Sequence, residues 1–117
     1  MDAVRHMQMT TERAIDVLSQ EIFEEKDRIA LVVSDMCLHD MSEQVHRLIQ
    51  ARDMGLLCKS AYFVLTFKNV RSKAKNTIDR QVAEQTHRLK DVASDVEVLH
   101  LFSNKTSERT VIGRFTD

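Results

Sequence analysis

Residues 31–37 read LVVSDMC, and residues 62–68 read YFVLTFK. Each is an apolar run that ends in a charged group, Asp35 in the first and Lys68 in the second. Two readings compete for such a pattern. The charge marks the mouth of a site at the end of a buried strand, or the strand has reached water and its charge is an ordinary salt-bridge partner. The runs themselves decide the fold class. Residues 29–34, IALVVS, are continuously apolar and rich in β-branched side chains. Continuous rather than alternating apolarity predicts a strand covered on both faces, as in a parallel sheet. Residues 61–67, AYFVLTF, predict a second strand of the same kind.

Helical periodicity fills the spaces around these strands. Ala14, Ile15, Val17, Leu18, Ile22 and Phe23 form one apolar face, with Thr11 placed to cap it. A short strand is expected before it, over residues 4–9. Met41, Val45, Leu48 and Ile49 repeat at helical spacing and stop at Gly55, a good helix terminator. Val70, Ala74, Ile78, Val82, Leu89 and Val92 predict a longer amphipathic helix. Residues 96–102, VEVLHLF, and 109–115, RTVIGRF, are two further strands. The short polar link between them predicts an antiparallel hairpin. The alternation of strands and helices gives an α/β fold. Its sheet is expected to be mostly parallel, with helices on both faces and one antiparallel strand at or near an edge.

Composition narrows the class. The chain has 117 residues, which suits one domain, and 43% are hydrophobic, enough for one core. No stretch approaches the length of a membrane span, and the first residues carry no secretory apolar region. Cys37 and Cys58 have neither zinc nor CxxC spacing, so two reduced thiols in an intracellular protein, cytoplasmic or nuclear, are expected. His39 and His46 are nearly two helical turns apart, but no Cys or carboxylate completes a metal-ligand spacing. The net charge is −1, yet residues 68–90 hold seven basic residues against Asp79 and Glu84. That stretch, through Arg71, Lys73, Lys75, Arg80, Arg88 and Lys90, is either a solvated helix face or a track for phosphates.

In a parallel sheet, ligands bind at the carboxyl ends of the strands. Asp35 and Lys68 stand at two of those ends. Glu108 opens the last strand, and if that strand runs antiparallel it starts at the same rim. An acid, an amine and an acid then meet along one edge. Lysine takes a proton from a hydroxyl only when neutral, so its ordinary pKa of about 10.4 must be lowered.

The residues LVVSDM, YFVLTFK and SNKTSERTVIGRF resemble, in order and spacing, the C-terminal half of the FtsJ-type ribose 2′-O-methyltransferases. The resemblance covers roughly residues 29–115. It implies a Rossmann-like sheet that binds S-adenosylmethionine and a Lys-Asp-Lys-Glu catalytic set. Asp35 in SDM, Lys68 in LTFK and Glu108 in TSERTV match the last three members. By the same resemblance, Lys68 accepts the proton of an RNA ribose hydroxyl. Glu108 orients Lys68 or the hydroxyl, and Asp35 lies near the cofactor's sulfonium, with Met36 beside it. Residues 71–90 would then lean on RNA phosphates.

Several family features have no counterpart in this sequence. The first catalytic lysine, the glycine-rich turn after the first strand and the acid that binds the cofactor's ribose are absent. Residues 1–117 therefore read as one domain equivalent to the second half of such an enzyme. A half-sheet of this kind is expected to leave an edge strand bare and one core face unfilled. It is also expected to be a weak catalyst alone, because flanking carboxylates favour the ammonium form of Lys68. Self-association or a partner chain would complete the sheet. The alternative is a non-catalytic α/β interaction module derived from the same fold.

Overall fold

The computed structural model describes residues 11–21, 28–34, 41–68, 75–101, 104 and 108–116. These form α1 (Thr11–Glu21), β1 (Ile29–Ser34), α2 (Met41–Asp53), β2 (Leu57–Lys68), α3 (Lys75–Lys90), β3 (Ala93–Leu99) and β4 (Glu108–Phe115). The fold is α/β, with a mixed sheet of four strands in the order β1-β2-β4-β3. The strand expected over residues 4–9 lies outside the described residues, as do Ile22, Phe23, Asp35, Met36, Cys37, His39, Val70, Arg71 and Lys73.

β1 pairs with β2 in parallel, and β4 pairs antiparallel with both β2 and β3. Three strands therefore point one way, as a mostly parallel sheet requires. Because β4 is inserted between β2 and β3, only one of the three pairings is parallel. The hairpin of the last two strands forms as the sequence implies, and β3 rather than β4 takes the edge.

Side-chain alternation along β2 separates two very different faces. Phe63, Leu65 and Phe67 are buried under α2 and α3, where they meet Val45, Leu48, Ile78, Val82 and Leu89. β4 adds Val111 and Phe115 to this core. Burying a side chain of this size contributes about 1.5–3 kcal/mol. The opposite face carries Leu31, Val33 and Tyr62, which are 54%, 65% and 52% exposed. Helices on both faces were expected, and among the described residues α2 and α3 cover only one. The continuous apolar run of β1 suggested two covered faces, but apolarity alone does not say what covers a strand.

α2 is set by Met41, Val45 and Leu48, buried at helical spacing. It ends where the sequence indicates. Gly55 has φ +77°, its N–H donates to the Arg52 carbonyl at 3.0 Å, and the Leu56 N–H donates to the Ala51 carbonyl at 3.1 Å. This is the two-bond Schellman ending, which needs a left-handed residue after the helix.

Two strands depart from their sequence boundaries for one reason. β2 begins at Leu57, four residues earlier than expected, and its register with β1 shifts between Ile29 and Leu31. Ser60, with φ 59°, lies in the part of β2 that absorbs the shift. β3 covers 93–99 rather than 96–102, with a register shift between Ser94 and Glu97 around Asp95 at φ 55°. Bulges of this sort insert residues that do not alternate cleanly, so period-two reading fails there.

Candidate active site

The carboxyl end of β2 and the amino end of β4 meet in register. Lys68 is paired directly with Glu108, and Thr66 with Thr110. Residues two apart on a strand share a face, so these four side chains form a short polar ladder. They lie on the face opposite the helices, because Phe67 and Val111 on the same strands point into the core.

Lys68 Nζ lies 3.7 Å from Glu108 Oε2, and the two side chains are 18% and 13% exposed. This is a charge contact beyond hydrogen-bond range. Neither charge has simply run out into water. Mostly buried, at a strand end and on a face that no described helix covers, the pair is shielded yet within reach of a ligand at the rim.

Asp35 and Met36 lie outside the described residues, so the third member of the expected row is not located. The register does fix where its strand stops. Ser34 is level with Leu65, three residues short of Lys68, about 10 Å along the strand direction. Ser34 is held from the helix side by Gln44, whose Nε2 donates to Ser34 Oγ at 2.8 Å. Gln44 is buried, so this bond anchors the end of β1 to α2.

Three residues that sequence reading passed over complete the neighbourhood. Asn104 Oδ1 accepts hydrogen bonds from the Leu101 N–H at 2.8 Å and from Thr110 Oγ1 at 3.1 Å. The Asn104 N–H donates to the Leu101 carbonyl at 2.9 Å. Thr66 and Thr110 were detectable in principle, since each stands two residues from a charged candidate. Asn104 had no such signal within the polar link.

The basic stretch divides on inspection. Arg88 turns inward, with Nη1 donating to Gln85 Oε1 at 2.8 Å and to Ser42 Oγ at 3.2 Å. It ties α3 to the start of α2. Arg80 and Lys90 are exposed. They belong to a helix on the far side of the sheet from Lys68. Arg109 is nearly buried and lies 3.6 Å from Asp79.

Gly55 follows α2 at the end of the sheet opposite Lys68, and Gly113 is sealed beneath the Phe63 ring. No group of three His, Cys, Asp or Glu among the described residues is placed to hold a metal ion. No described helix is long and apolar enough to cross a membrane. No family model matches the chain, and no curated protein matches it.

Proposed function

We propose that this chain carries the proton-handling rim of an RNA ribose 2′-O-methyltransferase-like domain. The observation that supports it is the registered Lys68–Glu108 pair across β2 and β4. Those two residues are the ones that the FtsJ-type resemblance assigns to catalysis, and they were identified from separate motifs about forty residues apart. In this reading the neutral form of Lys68 accepts the proton of a ribose 2′-hydroxyl as its oxygen takes the methyl group. The Glu108 carboxylate fixes the amine's position while keeping that neutral form scarce, so transfer by this chain alone is slow. Asp35 would complete the row. S-adenosylmethionine supplies the methyl group in such enzymes. In this chain, the resemblance leaves only Asp35 and Met36 to touch it.

The test is methyl transfer to RNA by the unaltered chain and by Lys68→Ala. Loss of a general base costs on the order of 10²–10⁴ in rate. Equal rates would remove Lys68 from the chemistry. Absence of transfer and of S-adenosylmethionine binding by calorimetry would leave the second reading, a non-catalytic interaction module. The exposed Leu31, Val33 and Tyr62 on the uncovered face favour that reading.

A further inference from the structure

The geometry points to Asn104 as a positioning residue for the Lys68–Glu108 pair, which rests on the reading of that pair as the reacting site. The uncovered face is not uniformly open. Leu31, Val33 and Tyr62 are more than half exposed, yet Thr110, on the same side of the sheet, is 3% exposed. Thr66 and Leu99 flank Thr110 in the sheet, and Asn104 bonds its hydroxyl.

Asn104 makes three bonds with one small side chain and its own backbone. Its N–H closes a turn onto the Leu101 carbonyl, and Oδ1 accepts from the Leu101 N–H in return. The same oxygen accepts from Thr110 Oγ1. The turn that leaves β3 is thus pinned to β4 two residues from Glu108. Thr110 is opposite Thr66, and Glu108 is opposite Lys68, so the pin acts on the ladder step adjoining the reacting pair. Glu108 is the first residue of its strand. Strand ends open most readily, so an anchor on the next ladder step limits how far this one parts from Lys68. Both bonds into the pin use an oxygen acceptor, which an Asp at this position would also offer.

The experiment compares Asn104→Ala, Asn104→Asp and Thr110→Val with the unaltered chain. NMR follows amide exchange at Leu101, the carboxyl carbon of Glu108 and the amine of Lys68. Asn104→Ala is expected to speed Leu101 exchange and to shift the Glu108 and Lys68 resonances, and Asn104→Asp, which keeps the acceptor oxygen, to restore Leu101 protection. Thr110→Val, nearly the same shape, is expected to shift the Glu108 and Lys68 resonances while leaving the Leu101 amide protected. If Leu101 loses protection while Glu108 and Lys68 are unmoved, Asn104 is only a turn former and the inference fails. Failure of Asp to restore Leu101 protection overturns it too. Should Asn104→Ala not fold, the Asp and Val variants decide by the same resonances. These signals do not require methyl transfer, so an inactive chain would defeat the functional proposal and leave this one standing. Where transfer is measured, Asn104→Ala is expected to lower kcat about tenfold to a hundredfold with KM nearly unchanged.

Discussion

Phe63 and Gly113 sit opposite each other across the β2–β4 pairing, and the Phe63 ring occupies the space where a side chain on residue 113 would begin. The ring also packs on Phe115, with centroids 5.2 Å apart. A glycine in the middle of a strand usually weakens it. At this position it makes room for a fully buried aromatic pair at the centre of the core.

Gly113→Ala is therefore expected to destabilise the fold by about 1–3 kcal/mol, the range for overpacking a filled core. Urea denaturation of Gly113→Ala, Phe63→Leu and the double variant measures it. The two changes should couple, with the alanine costing less once the ring is gone. Strict additivity would place the cost elsewhere than in the ring.

Gly55→Ala tests a different mechanism with the same substitution. Nothing lies within 4 Å of the added carbon, and the residue holds φ +77°. The expected loss is about 1–2 kcal/mol, from the left-handed backbone alone. Gly55→Asn should recover part of it, because Asn tolerates that conformation better. Thermal melts of the three proteins check the order.

The two faces of the sheet should respond oppositely to substitution. Phe67 is fully buried, and Phe67→Ala is expected to cost about 3–5 kcal/mol. Val33, 65% exposed, should accept Val33→Lys within about 0.5 kcal/mol. The same lysine should reduce the binding of an uncharged apolar dye such as Nile red. A large destabilisation by Val33→Lys would mean that this face is covered after all.

The Lys68–Glu108 contact is expected to contribute little to stability. A double-mutant cycle with Lys68→Met and Glu108→Gln should give a coupling of about 1 kcal/mol or less, as for other partly exposed ion pairs. The variants then stay folded, and any loss of methyl transfer reports on chemistry. A coupling of several kcal/mol would make the pair a structural element.

Much of this was legible in the sequence, and the failures have physical causes. The apolar runs ending at Ser34 and Lys68 located two strands, and TSERTV located the start of the strand that returns beside them. Because β4 runs antiparallel, its first residue had to fall at the rim where β2 ends, and Glu108 does pair with Lys68. What periodicity could not supply was the environment of each face. Val32 and Val33 are equally apolar, yet Val32 packs against the core and Val33 stands in the open. Ser60 and Asp95 interrupt the alternation with left-handed backbone, so both strand starts were misplaced. Asn104 acts through hydrogen bonds to Leu101 and Thr110, which composition does not encode. Asp35, the acid that closes the first apolar run, lies outside the described residues.

The insertion of β4 between β2 and β3 bears on how the chain is born. During synthesis β3 emerges from the ribosome with no neighbour to pair with, and the far edge of β2 stays open beside it. Both gaps close only when the eight residues of β4 arrive, so these pairings wait for a segment that follows β2 by about forty residues. A stop codon before Glu108 would spare every described helix and the β1–β2 pairing, and would cost the sheet both of its antiparallel pairings.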